Sequence, residues 1–244
     1  MPALEDLALC SIFNTQDPPA LQTVNSFVGQ LAKIPKIKSL DLSKNKLMPD
    51  TFSVLFGSGR LNNLQALSIS QTNLLDRSVL CFCSYLQQAK TLRVLNLSGN
   101  TMLSTDSLRK ILQAMKGNSF ELQELNLSKL SFANDELCYN ELANFLFASK
   151  QLRQLTLQRV SLTDATAFCL IDAMAKAPKL QTIKLDWNKL TGVFVERYCK
   201  KVGQMGYTPT AQNVLNLDTD QSILQSDSDS QVSRLGSARQ TSPN

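Results

Sequence analysis

The chain of 244 residues contains no histidine. Histidine is the commonest general base in enzymes and a frequent metal ligand, so its absence removes Ser-His and Cys-His nucleophile pairs and histidine-based metal sites. The remaining acidic side chains form no pair that the sequence positions for acid–base chemistry. We therefore predict that the protein is not an enzyme and that it uses no cofactor and no metal.

Phosphate-binding, membrane-spanning and disulfide patterns are also missing. Gly57-Ser58-Gly59 is followed by Arg60 and lacks the G-x-x-x-x-G-K-[ST] frame of a phosphate-binding loop. No apolar run reaches the roughly 18 residues that span a bilayer, and no basic segment precedes an apolar stretch near the N-terminus, as it would in a secretory signal. The six cysteines show no spaced framework. We therefore expect reduced thiols and an intracellular, cytoplasmic protein, with the nucleus as the alternative location.

One spaced pattern recurs along most of the chain. It reads L-x-x-L-x-L-x-x-N-x-L, with apolar or small substitutes allowed. Seven copies begin at residues 4, 37, 64, 92, 122, 152 and 180. A repeat of this length, with a helix-length segment between successive copies, predicts a solenoid in which each repeat covers the apolar face of its neighbour.

Each repeat contains a strand, a turn and a helix. Alternation places Leu40 and Leu42 on the buried face of a short strand. Between strands the period changes to that of a helix, as Leu108, Ile111 and Leu112 show. Residues that can cap a helix N-terminus precede the helical segments: Asp50, Asp76, Thr105, Asn134 and Thr163.

Long repeats with full helices resemble the ribonuclease-inhibitor-like class of leucine-rich repeats, and the resemblance covers roughly residues 1–207. It implies an α/β fold, a horseshoe-shaped solenoid with an inner parallel sheet and outer helices, and usually a ligand on the concave face or the loop rims. The Asn position holds Asn45, Asn100 and Asn188, whereas three other repeats have Thr72, Leu130 and Val160. Buried Asn side chains tie successive turns together, so the central turns are expected to rely on apolar packing.

The two ends of the chain differ from the repeats. Residues 208–244 are polar and are expected to be mostly disordered, with a capping strand near residues 214–217. The serines of an alternating Ser/Asp run, Ser226 and Ser228, are candidate phosphorylation sites. The first repeat has no polar cap before it, which indicates part of a longer repeat protein, a strand covered by a partner, or self-association through this open end.

The last three repeats carry the most varied outward side chains. The candidate partner-binding residues are Glu124, Gln154, Lys184 and Asp186 at strand positions, and Lys129, Arg159 and Trp187 just beyond the strand ends. Trp and Arg dominate protein-interface hot spots. Trp187 packed under a C-terminal cap is the alternative interpretation, and a column of serines is a second candidate ligand surface: Ser43, Ser70, Ser98 and Ser128. The basic excess lacks a dense Lys/Arg stripe with interleaved aromatic residues, so nucleic acid is not expected as a partner.

Two functional hypotheses follow. The first is a non-catalytic protein-interaction scaffold that binds its partner through the concave face or the loop rim. The alternative is a regulatory module for a small GTPase or for actin assembly. The Ran GTPase-activating proteins and the CARMIL family have a similar architecture, and LQTIKLDWNKLTG from Leu180 resembles the last repeat of the latter. No activity residue carries over from either family.

Overall fold

The computed structural model describes residues 4–12, 18–31, 34, 36–57, 59, 61–116, 121–133, 135–204 and 215–216. Within these residues, one parallel sheet runs in chain order. Its strands are β1 (Asp6–Ala8), β2 (Ser39–Asp41), β3 (Ala66–Ser68), β4 (Val94–Asn96), β5 (Glu124–Asn126), β6 (Gln154–Thr156), β7 (Thr182–Lys184) and β8 (Leu215–Asn216). The helices are α1 (Pro18–Leu31), α2 (Pro49–Gly57), α3 (Val79–Gln88), α4 (Thr105–Lys116), α5 (Glu136–Ala148), α6 (Asp164–Lys176) and α7 (Gly192–Gln204). Strands and helices alternate from β1 to α7, and each helix packs on the next one along the chain.

The strands occupy the places that the repeat pattern predicts. Each of the first seven begins two residues after the start of a copy, and the sheet register pairs equivalent positions, as Leu95 with Leu125. The central residue of β2 to β7, a leucine in β2 to β6 and Ile183 in β7, is buried, and Leu7 at the centre of β1 is half-buried, while the two neighbours of each lie on the opposite face of the sheet. We call this opposite face the open face. The predicted α/β solenoid with a parallel sheet is confirmed.

Asn100 joins two successive repeats through its buried side chain. Its Nδ2 donates to the carbonyl oxygens of Ile69, at 2.8 Å, and Leu97, at 2.9 Å. Its Oδ1 accepts from the backbone amides of Thr72, at 3.1 Å, and Leu74, at 3.0 Å. Three of these four groups belong to the preceding repeat, so one side chain satisfies backbone groups that burial would otherwise leave unpaired.

The same contact recurs at two other repeat boundaries. Asn45 donates to the carbonyl oxygens of the first and second repeats, and Asn188 does so for the sixth and seventh. At the two central boundaries, Leu130 and Val160 occupy the Asn position and are buried in the apolar core. These two turns have apolar side chains at the Asn position, as predicted. The third predicted turn differs, because the buried hydroxyl of Thr72 donates to the carbonyl oxygen of Ile69 at 2.8 Å.

The fourth repeat departs from its predicted spacing. The pattern places Met102 at its last apolar position, but Met102 is 65% exposed and the next residue, Leu103, is 3% exposed. This repeat holds one extra residue between Asn100 and the buried leucine. The buried apolar position of this repeat is therefore Leu103, one residue later than in the other repeats.

Helix starts were predicted correctly only in part. Thr163 caps α6, since its side chain accepts from the amide of Thr166 and the Thr166 hydroxyl bonds back to the Thr163 amide. Asn134 lies outside the described residues. Its neighbour Asp135 caps α5 by accepting from the amide of Leu137 at 2.9 Å.

The other three predicted caps are wrong. Thr105 is already the first residue of α4, and the hydroxyl of Ser104 accepts from the amide three residues further on. Asp50 lies inside the first turn of α2, because Pro49 begins that helix with a φ angle already suited to it. Asp76 uses its carboxylate to accept from the amide of Ser104, which belongs to the next repeat.

After residue 204, the structure describes only the short strand β8. This strand pairs in parallel with β7, Leu215 opposite Ile183 and Asn216 opposite Lys184. The remaining residues after 204, including Ser226 and Ser228, lie outside the described residues. The division between a repeat domain at 1–207 and a tail at 208–244 stays a prediction. None of the helices in the described residues has both the length and the apolar content needed to cross a membrane.

Candidate functional site

The seven residues predicted to bind a partner lie on three adjacent strands or directly after them. Glu124 pairs with Gln154 in the register of β5 and β6, and Lys184 is the last residue of the neighbouring strand β7. The other four follow the C-terminal ends of these strands: Lys129, Arg159, Asp186 and Trp187. The sheet therefore brings together side chains that are up to 63 positions apart in the sequence.

Lys129, Arg159 and Trp187 occupy the same position in three successive repeats, and we call them the Trp187 rim. All three are exposed. Their φ angles are 58°, 54° and 62°, in the left-handed region that costs an ordinary residue about 1 kcal/mol or more. Backbone bonds between repeats hold this turn, because the Lys129 amide donates to the Gln158 carbonyl at 2.8 Å and the Arg159 amide donates to the Asp186 carbonyl at 3.1 Å.

Trp187 and Arg159 form a stacked pair on the surface. The guanidinium carbon of Arg159 lies 4.6 Å from the centroid of the Trp187 ring, and Trp187 is 53% exposed. This exposure does not fit the alternative in which Trp187 packs under the C-terminal cap. Stacking fixes the plane of the guanidinium while its N–H groups, which lie in that plane, stay able to bind a carboxylate.

Asp186 lies beneath the surface, since its side chain is 4% exposed. It accepts a hydrogen bond from Nε2 of Gln158, the equivalent residue of the preceding repeat. Gln158 was not among the predicted site residues. The sequence does contain a sign of this contact. The second to fifth repeats have serine at this position, whereas the sixth and seventh have Gln158 and Asp186, whose longer side chains can bond to each other. The place of Asp186 suits it to orient Gln158 beside Arg159.

The serine column does not offer free hydroxyls to a ligand. Ser70 bonds to Ser98, with 2.8 Å between their Oγ atoms, and Ser43 bonds to Ser68 at 2.7 Å. Most of the column is buried, because this position follows the strand and turns toward the core. The serine side chains therefore join neighbouring repeats. The hypothesis that the serine column is a ligand surface is rejected.

The cysteine thiols that show a pKa shift are poor nucleophiles. Burial raises the pKa of Cys138 to about 12 and that of Cys83 to about 11. Since the thiolate is the reactive form, these side chains stay protonated and unreactive near neutral pH. Across the described ranges, no three His, Cys, Asp or Glu side chains lie close enough together to hold a metal ion.

Comparison with known proteins identifies the repeat itself. A family model described as Leucine Rich repeat matches residues 88–112, which contain β4 and the first part of α4. No curated protein matches the chain. Solenoids of this kind generally serve as protein-interaction modules, because stacked repeats expose a long continuous surface. The matched repeat, its six equivalents and their single parallel sheet make the chain a leucine-rich-repeat protein.

Proposed function

We propose that the chain is a non-catalytic protein-interaction scaffold whose partner binds at the Trp187 rim and the adjoining open face of β5 to β7. The observation that carries the proposal is the exposed Arg159–Trp187 stack. Trp and Arg are the residues most often found at the energetic centre of protein interfaces, where each contributes a large rigid contact area.

The surroundings of this pair suit an interface. Lys129 and Glu124 are exposed, and Gln154 and Lys184 are half-buried on the adjoining strands. Such residues form the polar, solvent-accessible edge that surrounds the apolar centre of an interface. The left-handed turns also hold the rim side chains in place before binding, which lowers the entropic cost of association.

Two further assignments belong to this proposal. The 27- to 30-residue spacing of the last six copies and the full helix in each repeat support the ribonuclease-inhibitor-like class. All six cysteines carry free thiols, which suits a cytoplasmic location.

The proposal predicts a selective loss of partners from an Arg159→Ala, Trp187→Ala double variant. Removing a hot-spot pair costs about 2 kcal/mol or more, which weakens binding roughly 30-fold. The measurement is a pull-down from cell extract with the wild-type and variant chains, in which retained proteins are quantified by mass spectrometry. Partners of the rim are expected to be depleted only from the variant.

The control is a Lys44→Ala, Gln71→Ala double variant. These residues occupy the same left-handed, exposed position in the second and third repeats, so their loss has a similar effect on the fold. The control is expected to retain the wild-type partners, and circular dichroism should show both variants folded. An identical set of partners for all three chains would refute the proposed site.

A further inference from the structure

The segments that lead from a helix to the next strand are strongly basic. They run from the last turn of each of α1 to α6 to the residue before the following strand, and we call them, with the two described residues before β1, the basic rim. The described residues of the basic rim include nine exposed cations: Lys36, Lys38, Lys90, Arg93, Lys116, Lys150, Arg153, Lys176 and Lys179. Its acidic residues are Glu5 and Glu121.

The opposite end of the sheet is close to neutral. The described segments that lead from β2 to β7 to the first turn of the next helix contain six cations and seven acidic residues. These segments include the Trp187 rim. A strand rises about 3.3 Å per residue, so the two ends of one repeat, such as Lys38 and Lys44, are roughly 15 to 20 Å apart. The positive charge of the described repeats is therefore concentrated on one side.

Helix dipoles account for only part of this charge. Lys116 and Lys176 lie in the last turns of α4 and α6, where a cation offsets the partial negative charge of a helix C-terminus. That effect falls off within the last turn of a helix. The other seven cations follow the helix ends, so capping of the helices does not explain them.

Ion pairs within the described residues involve two of the nine cations. Lys38 pairs with Glu5 at 2.8 Å, and Arg93 pairs with Glu121 at 3.4 Å. All four side chains are about half exposed, so these pairs add little to stability and can exchange for an external anion. Most of the charge of the basic rim has no acidic partner among the described residues.

Equivalent backbone bonds hold the strand starts of the basic rim level with one another. The Arg93 amide donates to the Gln65 carbonyl at 2.7 Å. The Gln123 amide donates to the Arg93 carbonyl at 2.7 Å, and the Arg153 amide donates to the Gln123 carbonyl at 2.8 Å. Lys38, Arg93 and Arg153 therefore occupy one row, in every second repeat, about 10 Å apart. A level row of cations can meet one flat anionic surface at the same time.

One exposed aromatic ring lies within the basic rim. Phe147 belongs to the last turn of α5 and is 50% exposed. The ammonium of Lys176, from the next repeat, is 5.6 Å from the centroid of its ring, and Lys150 follows three residues later in the chain. An aromatic ring beside lysines suits the boundary between lipid headgroups and acyl chains, where the ring is buried and the ammonium groups stay among the phosphates.

We infer that the basic rim binds the surface of a membrane that contains anionic phospholipids, with Phe147 at the headgroup boundary. Seven of the nine cations are lysines, whose compact charges suit a diffuse layer of lipid phosphates. A site for one defined phosphate or base would instead favour the planar fork of arginine. The inference goes beyond the proposed function, because the Trp187 rim at the other end of the strands stays accessible to a protein partner while the membrane is bound.

The test is co-sedimentation of the full chain with lipid vesicles, either phosphatidylserine in phosphatidylcholine or phosphatidylcholine alone. Wild type is expected to bind only the vesicles that contain phosphatidylserine, and to leave them in about 1 M salt, where the Debye length is about 3 Å. Each Lys or Arg near an anionic surface strengthens binding about fivefold. A Lys150→Gln, Arg153→Gln, Lys176→Gln, Lys179→Gln variant should therefore bind roughly 100-fold more weakly or worse.

The matched control is a Lys44→Gln, Lys46→Gln, Arg77→Gln, Lys189→Gln variant. It removes the same number of exposed cations, but from the opposite end of the sheet. Because these charges lie more than a Debye length of about 8 Å from the bound surface, the control should bind within about threefold of wild type. Circular dichroism should show both variants folded.

Tryptophan emission reports the orientation on the vesicle. Trp187 is the only tryptophan and lies at the opposite rim, so its emission should not change when wild type binds. A Phe147→Trp, Trp187→Phe variant should shift its emission to shorter wavelength on binding, because its tryptophan enters the headgroup boundary. An unshifted spectrum of this variant on sedimented vesicles would contradict the assigned orientation.

Three results would overturn the inference: no binding to either kind of vesicle, equal binding to both, or an equal loss in the two lysine and arginine variants. Binding to a mixed-sequence duplex DNA but not to the anionic vesicles, lost in the basic-rim variant, would assign the surface to nucleic acid and would also overturn it. The vesicle assay contains no protein partner, so its outcome is independent of the pull-down that tests the proposed function.

Discussion

Replacing Asn100 with alanine is expected to destabilise the protein by about 2 to 4 kcal/mol. The side chain is buried and bonds to two carbonyl oxygens and two amides, most of them in the preceding repeat. Alanine would leave these backbone groups buried without partners, and each such group costs about 1 to 3 kcal/mol unless water enters. Urea unfolding followed by circular dichroism measures the loss, and the slope of the transition shows whether unfolding stays cooperative.

The matched control is Asn96→Ala, the same substitution four residues earlier. Asn96 lies on the open face and accepts from the amide of Ser98 at 3.1 Å, a local contact within the same turn. We expect it to cost less than about 1 kcal/mol. Asn100→Leu should be nearly as damaging as Asn100→Ala, although Leu130 fills the equivalent place one repeat later, because leucine cannot bond to the four backbone groups. Equal stability of the Asn96 and Asn100 variants would contradict the role assigned to Asn100.

The sequence could predict the fold because burial alone determines the pattern. A strand with one covered face must present an apolar residue at every second position, and all seven copies do so. The pattern failed where backbone geometry decides. Met102 and Leu103 are both apolar and adjacent, so only the path of the turn shows which one is buried. Ser104 and Thr105 are equally good helix caps by composition, and the start of α4 distinguishes them.

The candidate site was predictable in composition but not in geometry. Outward strand positions and the neighbouring loop positions can be read from the repeat frame, which placed Arg159 and Trp187 one repeat apart. Their stacking depends on the left-handed turn that both residues adopt, a conformation that neither side chain favours. The burial of Asp186 and its bond to Gln158 likewise depend on packing between repeats, which no single repeat reveals.

Replacing Phe132 with alanine is expected to cost about 3 to 5 kcal/mol, the range for a large buried aromatic side chain. Phe132 belongs to the repeat in which Leu130 takes the Asn position, and its ring stacks on Tyr139 with 5.0 Å between centroids. The Tyr139 hydroxyl donates to the carbonyl of Val160, at 3.4 Å, in the next repeat, which also lacks the Asn. Burial raises the pKa of Tyr139 to about 12, so this hydroxyl stays protonated at neutral pH. The aromatic pair thus supports the boundary between the fifth and sixth repeats, where Val160 takes the Asn position.

Phe147→Ala is the matched control. Phe147 lies on α5, the helix that also contains Tyr139, but its side chain is half exposed. Among the described residues, its one ring contact is with the ammonium of Lys176, 5.6 Å from the ring centroid. It should cost less than about 1 kcal/mol. Because a solenoid is held together by contacts between neighbours, weakening a central boundary should also let its two halves unfold separately. A shallower urea transition for Phe132→Ala, absent in Phe147→Ala, is therefore expected. Equal costs for the two variants would mean that the central boundaries depend on the leucine layers alone.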